Sequence, residues 1–250
     1  MENYLEFNNE EDLVISSMIE SFRNTEISYK IRKINLLKNA GLPIPETSCF
    51  KKGDIFELRD EVLKRIQGGS QNLVIRPACI PDKVSMLVFH ININNIDQVL
   101  EQIESLCQQD SSISDLILRE AIGVGDAKEK IVGRLTFEDS KMLPVEQILE
   151  IYKGSETTGI LNKVNPKDPN FYLFIKSAGK FMKPAEQINE IGSISPNEIK
   201  ELYRILDSYK DQMDIIRRVF SQANKKRKEE ATLGIEFSFY KDRIFFNDID

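Results

Sequence analysis

The chain ends with the stretch L-G-I-E-F-S-F-Y-K-D-R-I-F-F-N-D-I-D, residues 233–250. Apolar and polar residues alternate in its first half, which places Ile235 on one face of a strand and Glu236 on the other. The polar pair Lys241-Asp242 then interrupts the pattern before a second apolar run begins. Two such runs joined by a short polar turn are typical of a β-hairpin, and we expect one here.

Three side chains of this hairpin are candidate oxygen ligands, namely Glu236 in the first strand and Asn247 and Asp248 in the second. A carboxylate among large apolar residues is costly to bury unless a positive charge meets it. In one interpretation, the three side chains lie on a solvent-facing side of the sheet. In the other, they hold a Mg²⁺ ion, since Mg²⁺ prefers oxygen ligands and usually binds between carboxylates and substrate phosphates. The hairpin alone leaves both open.

The composition limits the class of protein. The chain has 250 residues, of which 41% are hydrophobic, enough for the core of one large domain or of two lobes. A net charge of −6 argues against general binding to the nucleic-acid backbone. The four basic residues at 225–228 follow a predicted helix, so we interpret them as a solvated helix end and keep a nucleic-acid contact as the weaker alternative.

Cysteine usage and hydropathy bear on the location of the protein. Cys49, Cys79 and Cys107 form no C-x-x-C pair, as is typical of a reduced intracellular chain. The first residues are acidic and lack the apolar segment of a signal peptide, and no run of about 18 apolar residues occurs. We therefore expect a cytoplasmic protein that does not enter the membrane.

Helical and strand-like segments alternate along the chain, which predicts an α+β or α/β protein. A charged loop over 109–115 is the predicted boundary between two lobes, 1–112 and 113–250. A capping box at Ser195-Pro196-Asn197-Glu198 opens one predicted long helix that continues past Phe220. The other predicted helices cover 10–23, about 28–40, 54–67 and 95–108, and the predicted strands cover 73–76, 84–93, 116–118, 130–137, 145–152 and 171–176.

Two cationic residues stand where a bound anion could reach them. Lys30 lies in the first turn of a helix capped by Ser28 or Thr25, where it either faces solvent or joins the helix N-terminus in binding phosphate. Arg76 ends an apolar strand at a turn, where a guanidinium group either reaches an anion or lies on the surface. The residue types alone leave both alternatives open for each side chain.

Five segments taken in order resemble the ATP-grasp nucleotide-binding domain, specifically the ATP-binding part of phosphoenolpyruvate synthase and pyruvate phosphate dikinase. The first is K-I-R-K-I-N-L-L-K-N-A-G-L-P-I-P from Lys30, similar to the family segment that ends in A-G-[LI]-P-V-P. The second is L-V-I-R-P-A-C-I-P-D around Arg76, similar to A-V-R-S-S-A-x-x-E-D. The third, L-I-L-R-E-A-I, is similar to the strand that leads past adenine. The fourth runs from I-L-E-I-Y-K-G at Ile148 through Pro166 to Tyr172, similar to a strand, a Gly-rich turn and then V-x-P-x-x-Y. The fifth, G-I-E-F, is similar to D-[IL]-E-[WF].

The resemblance implies an α+β fold whose two lobes, each an antiparallel sheet with flanking helices, enclose a nucleotide cleft. It implies ATP and Mg²⁺ as cofactors, with Lys30 and Arg76 as catalytic and phosphate-contacting residues. Further residues follow from the matched positions: Glu120 and Ile122 would contact the nucleotide, and Glu236, Asn247 and Asp248 would hold the metal.

The sequence also departs from the family pattern. Ser28-Tyr29 replaces a pair of glycines, Pro77 and Ala78 replace serines, and Ile249 or Asp250 stands where an arginine is expected. We expect a phosphotransferase of the kinase type that acts on an unidentified acceptor, which could be carried by a partner protein. The alternatives are a carboxylate ligase that forms an acyl phosphate, and a nucleotide-binding or scaffold protein without catalysis.

Overall fold

The computed structural model describes residues 10–70, 72–80, 87–123, 130–137, 147–153, 171–177, 180–182, 194–223 and 233–249. The helices in these ranges are α1 (Glu10–Arg23), α2 (Tyr29–Asn39), α3 (Ile55–Gln67), α4 (Ile96–Gln109), α5 (Pro196–Ser208) and α6 (Lys210–Ala223). The strands are β1 (Thr47–Lys51), β2 (Leu73–Cys79), β3 (Phe89–Ile91), β4 (Ile113–Glu120), β5 (Ile131–Phe137), β6 (Gln147–Lys153), β7 (Phe171–Ser177), β8 (Lys180–Met182), β9 (Leu233–Tyr240) and β10 (Arg243–Ile249).

The described strands form two antiparallel sheets, so the predicted α+β class is confirmed. The first sheet has the order β1-β4-β2-β3, and α3 and α4 cover one of its faces. The second has the order β10-β9-β5-β6-β7-β8 and packs against α1, α2, α5 and α6. Each sheet has its own core, and each core buries aliphatic side chains completely, for example Leu58 and Ile75 in the first and Leu149 and Ile216 in the second.

Helix α2 lies between the two sheets. Ser28 caps it by accepting a hydrogen bond from the Ile31 amide, and Gly41 ends it with a φ of +81°, a left-handed conformation that suits glycine. Ile34 packs on the first sheet, whereas Leu37 belongs to the core of the second. The first turn of α2 therefore faces the space where the sheets meet.

The predicted closing hairpin is confirmed. Lys241 and Asp242 both have positive φ, 49° and 58°, which is the signature of a type I′ turn. The pairing of β9 with β10 shifts between Phe246 and Asp248, so Asn247 lies in a β-bulge. This bulge decides where the polar end of β10 points.

Three sequence predictions differ from the structure. The single long helix from Ser195 is wrong: it breaks at Tyr209 into α5 and α6, and the break allows the Tyr209 ring to pack edge-on against Phe246 with 5.6 Å between centroids. Strands β1 and β8 were not predicted, because short edge strands carry few apolar positions. The strand predicted over 84–93 is shorter, Phe89–Ile91, and residues 81–86 lie outside the described ranges, as does the basic run 225–228.

The lobe boundary predicted at 112/113 remains a prediction. Strand β4 pairs with β1 and β2, so a division by sheets falls after residue 120, and α1 and α2 pack with the core of the second sheet. None of the described helices is both long and apolar enough to cross a membrane.

Candidate functional site

A cavity lies where the two sheets meet. Its walls come from the ends of β2 and β4, from the segment that follows β4, and from the closing hairpin. The lining residues are Val74, Arg76, Val88, His90, Arg119, Glu120, Ala121, Ile122, Lys130, Ser238 and Asn247. His90, the one histidine of the sequence, is an exposed residue of β3.

Two arginines project into this cavity from one face of the first sheet. Arg119 lies opposite Val74 and Arg76 lies opposite Ile117, so the register places both guanidinium groups on the same side. The Nε atom of Arg76 and the Nη2 atom of Arg119 are buried, and neither has a hydrogen-bond partner in the described part of the chain. Burial lowers the pKa of Arg119 to about 10. Unpaired buried donors of this kind are costly and point to an absent acceptor.

Arg119 also ties the two sheets together. Its Nη1 donates to the backbone carbonyl of Asn247 at 2.8 Å, and its Nε lies 3.4 Å from the hydroxyl of Thr47. Sequence analysis did not select Arg119. The available signal was its place in the apolar strand L-I-L-R-E, because arginine is rarely buried without a partner.

Lys30 lies beside these arginines in the first turn of α2. Burial and the charge of Arg76 lower the pKa of its ammonium group to about 8, whereas Asp248 raises it. Lys30 does not line the cavity itself. It nevertheless lies within electrostatic reach of Arg76 and Arg119, so the three cations can act on one bound anion.

A second lysine, Lys130, was not predicted as a site residue. It lines the cavity at the start of β5, is 1% exposed, and makes no hydrogen bond or ion pair with any described residue. Burial lowers its pKa to about 8. Gly123 makes room for it, since a Cβ atom there would lie 2.9 Å from the Lys130 Cδ atom. The available signal was a lysine at the head of a strand predicted to be buried.

The segment Glu120–Gly123 continues from the end of β4 along one wall of the cavity. Glu120 and Ile122 both line the cavity, as does Ala121. The Glu120 amide donates to the Glu46 carbonyl at 3.1 Å and the Ala121 amide to the Asn72 carbonyl at 2.9 Å. These backbone bonds hold the segment in place beside the cavity.

The three predicted metal ligands lie close together on the closing hairpin but have different partners. Asn247 lines the cavity, and its side-chain amide donates to the Ser238 hydroxyl at 2.8 Å. Asp248 forms an ion pair with Lys33, whose Nζ atom lies 2.9 Å from Oδ1. Glu236 lies opposite Asp248 in the β9–β10 pairing. Neither carboxylate lines the cavity.

These surroundings do not fit a Mg²⁺ ion held by Glu236, Asn247 and Asp248 together. Magnesium needs carboxylate oxygens that can approach to about 2.0–2.1 Å, with waters or phosphates completing an octahedron. The Oδ1 atom of Asp248 already accepts from both Lys33 and the Ile249 amide. Among the residues that the structure describes, no group of three or more His, Cys, Asp or Glu side chains could hold a metal ion.

Comparison with known proteins identifies the fold. No protein-family model and no curated protein matches the sequence. Among solved structures, D-cycloserine synthetase DcsG matches with a TM-score of 0.50 and 12% identity over 88% of this chain and 61% of that one. The ADP complex of purK, an N5-carboxyaminoimidazole ribonucleotide synthetase, has a TM-score of 0.44 and 11% identity over 88% of this chain and 44% of that one. Macrocyclase MdnC from Microcystis aeruginosa MRC, bound with precursor peptide MdnA, has a TM-score of 0.43 and 11% identity over 96% and 58%.

The likeness to DcsG confirms the predicted ATP-grasp fold. At 12% identity it shows the fold alone. The chain spans 61% of the length of DcsG. The finer resemblance to phosphoenolpyruvate synthase and pyruvate phosphate dikinase is not shown and stays a prediction.

Proposed function

We propose that this ATP-grasp chain binds ATP in the cavity between its sheets and uses it to activate a carboxylate for ligation. One observation carries the proposal: Arg76 and Arg119 line one cavity, and each keeps a buried nitrogen without a hydrogen-bond partner in the described ranges. A polyphosphate supplies many acceptor oxygens and the negative charge that two adjacent guanidinium groups require. ATP therefore satisfies groups that the described chain leaves unpaired.

The phosphate end of ATP would lie against the cations. Arg76 and Arg119 would hold the phosphates from the first sheet, and Lys30 would approach them from the first turn of α2. Each positive charge stabilises the charge that builds up on the transferred phosphoryl group, which is the main task of a protein in phosphoryl transfer. Charge-assisted hydrogen bonds to phosphate are about twice as strong as neutral ones.

The base end would lie along the segment Glu120–Gly123. Val74, Val88 and Ile122 give this part of the cavity an apolar surface, which suits the faces of a purine ring. The backbone of the segment supplies hydrogen-bonding groups for the edge of the base. Lys130 lies at the same end and would donate to a nitrogen or a phosphate oxygen of the nucleotide.

The proposed reaction has two steps. A carboxylate oxygen attacks the γ-phosphorus of ATP, the bond to the bridging oxygen breaks, and ADP leaves with the electron pair. A nucleophile such as an amine then attacks the acyl carbon, and the C–O bond to phosphate breaks. The products are an amide, inorganic phosphate and a proton. Arg76, Arg119 and Lys30 would act in the first step by offsetting charge.

Ligation has more support than the kinase-type transfer that the sequence suggested, because DcsG, whose fold this chain shares, is a synthetase. A nucleotide-binding protein without turnover is the second candidate, since Ile249 or Asp250 stands where the family pattern has an arginine. The acceptor, a partner protein that carries it, and a cytoplasmic location stay predictions. Mg²⁺ at Glu236, Asn247 and Asp248 is not carried into the proposal, because these donors do not fit it together.

The test is calorimetric titration of ATP into wild-type protein and into Arg76→Met. We expect the variant to bind ATP at least about tenfold more weakly, because a charged hydrogen-bond donor to phosphate is lost. Arg59→Met is the matched control. This substitution also removes one positive charge, but Arg59 is an exposed residue of α3 that pairs with Asp97 of α4 at 2.8 Å. Equal weakening in both variants, or no ATP binding by the wild type, would contradict the proposal.

Turnover is measured as ADP release with panels of carboxylic acids and amines. We expect release that requires both a carboxylate and a nucleophile, with amide formed in equal amount. Tight ATP binding without ADP release for any pair would favour the nucleotide-binding protein without catalysis. ADP release with a hydroxyl or histidine acceptor and no amide would favour the kinase-type reaction.

A further inference from the structure

Asp248 on the closing hairpin is compensated by a cation of the protein itself. The Nζ atom of Lys33 lies 2.9 Å from the Asp248 carboxylate and also donates to the backbone carbonyl of Ile249. Both side chains are largely buried, at 11% and 18% exposed. The charge and hydrogen bond of Lys33 outweigh the effect of burial and hold the pKa of Asp248 below its ordinary value. The carboxylate therefore stays charged and stays paired.

The β-bulge at Asn247 creates this arrangement. Because Asn247 has no cross-strand partner, its carbonyl leaves the ladder and accepts from Arg119 at 2.8 Å. The next residue, Asp248, returns to the ladder opposite Glu236 and faces α2, which brings Lys33. The edge strand β10 is thus contacted by Arg119 of the first sheet and by Lys33 of α2.

Glu236 has Asp248 as its cross-strand neighbour on β10 and Arg134 as its neighbour on β5. Arg134 also lies opposite Glu150 on β6, where its charge opposes the effect of burial on the pKa of Glu150. A Cβ atom at Gly234 would lie 2.4 Å from the Arg134 Nε atom, so the guanidinium group lies directly over Gly234, on the same face as Glu236. Glycine at this position lets the arginine take the space that a side chain would fill.

The surrounding charge is already positive before a ligand binds. Lys30 experiences the positive charges of Arg76, Lys33 and Arg119 and the negative charge of Asp248, and Arg119 also experiences the negative charge of Glu236. A divalent cation beside Asp248 would have to displace Lys33 or lie within a few ångströms of it. Displacement breaks a buried ion pair, and close approach adds repulsion between like charges. Both make metal binding here unfavourable.

We propose that the Lys33–Asp248 ion pair keeps a divalent cation away from this end of the site, so that ATP binds without Mg²⁺. The inference rests on the ATP binding proposed above. It assigns the neutralisation of the phosphates to Arg76, Arg119 and Lys30 and leaves Asp248 as the partner of Lys33.

The first experiment titrates ATP into the wild-type protein in EDTA and again in excess Mg²⁺ at equal ionic strength. We expect the two dissociation constants to agree within about threefold. Binding that is tenfold or more weaker in EDTA would overturn this inference and leave the proposed function intact. Absence of ATP binding in both conditions would overturn the proposed function together with the inference.

A second measurement uses Mn²⁺ alone, followed by electron paramagnetic resonance. We expect no Mn²⁺ site that depends on Asp248, so wild type and Asp248→Asn should give the same signal. A bound Mn²⁺ signal in the wild type that disappears in Asp248→Asn would overturn the inference, whatever the result with ATP.

Variants of α2 test the role of Lys33. Lys33→Gln exposes the Asp248 carboxylate to the site, and we expect ATP affinity to become dependent on Mg²⁺ by about tenfold or more. The double variant Lys33→Gln/Asp248→Asn removes the carboxylate as well and should bind ATP equally with and without Mg²⁺. Lys38→Gln, at an exposed position of the same helix, is the matched control and should behave as the wild type.

Where Lys33→Gln fails to fold, Asp248→Asn alone keeps the inference testable, because it retains the Lys33 cation. We expect this variant to bind ATP in EDTA at least as tightly as the wild type. Loss of binding in Mg²⁺ for a folded Asp248→Asn protein would identify Asp248 as a metal ligand and overturn the inference. Unchanged metal dependence in a folded Lys33→Gln protein would do the same.

Discussion

The first sheet and the closing hairpin differ in how their buried charges are satisfied. On the first sheet, Arg76 and Arg119 each keep a buried nitrogen without a hydrogen-bond partner in the described ranges. On the closing hairpin, Asp248 is held by Lys33 and by a backbone amide. Unpaired donors are costly in a folded chain and persist where a ligand completes them, whereas paired charges have their cost met within the chain. The contrast teaches that the first sheet leaves donors open, which is where the proposed anion would bind, whereas the hairpin satisfies its own charges.

The largest effect should come from breaking the ion pair between Lys33 and Asp248. Lys33→Met leaves the Asp248 carboxylate buried and uncompensated, and we expect a loss of about 3–5 kcal/mol in the free energy of unfolding. The double variant Lys33→Met/Asp248→Asn should recover most of it, since neither charge remains. Urea denaturation of the three proteins measures both. If Lys33→Met were as stable as the wild type, the hairpin would not depend on this ion pair, and the distinction between the hairpin and the first sheet would be lost.

A smaller effect separates the two arginines. Arg119→Met loses the 2.8 Å hydrogen bond to the Asn247 carbonyl, so we expect about 1.5–3 kcal/mol less stability. The Arg76 side chain makes no hydrogen bond or ion pair with a described residue, so Arg76→Met should cost less than about 1 kcal/mol. Thermal unfolding of both variants without nucleotide checks this order. Equal losses of stability in the two variants would show that the Arg76 side chain also stabilises the fold, contrary to this comparison.

Removing the Lys130 charge should raise the free energy of unfolding, whereas the preceding substitutions lower it. The folded pKa of Lys130, about 8, lies below the ordinary value of 10.5, so the unfolded chain holds the proton more tightly. Wild-type stability should therefore rise with pH from about 8 to 10.5 as this penalty is removed. Lys130→Met should be more stable than the wild type by about 1–2 kcal/mol at pH 7.

Chemical denaturation at a series of pH values measures the Lys130 effect. The advantage of the methionine variant should shrink above pH 8 and be small near pH 10.5. The same variant should bind ATP more weakly, because the cation at the base end is gone. A variant that loses stability at pH 7 would show that the Lys130 ammonium is well paired in the folded chain.

Local patterns predicted much of the fold. Alternation and the Lys241-Asp242 turn predicted the closing hairpin, and Ser28 with Gly41 predicted the bounds of α2. The capping box at Ser195 is present, with Glu198 bonded to it in both directions. These features depend on residues within a few positions of one another, so the order of residue types is sufficient to predict them.

Features that depend on distant partners were missed. Tyr209 breaks the predicted long helix where its ring meets Phe246, and β1 forms only because β4 is available to pair with it. In the sequence, Arg119 and Lys130 look like ordinary members of apolar segments. They become buried residues of one cavity only when the two sheets pack together. The burial of a residue depends on which elements pack against it in the folded chain, and the alternation of residue types within one strand does not predict those elements.

The sequence by itself determined the α+β class, the caps and turns, and the types of charged residue available to a site. Only the tertiary structure decided which charges meet. It brought Arg76, Glu120, Ile122 and Asn247 to one cavity, and it paired Asp248 with Lys33. The reason is that an ion pair 215 positions apart in the chain has no local signature. Its energy depends on distance and burial, and both are set by the packing of α2 against β10.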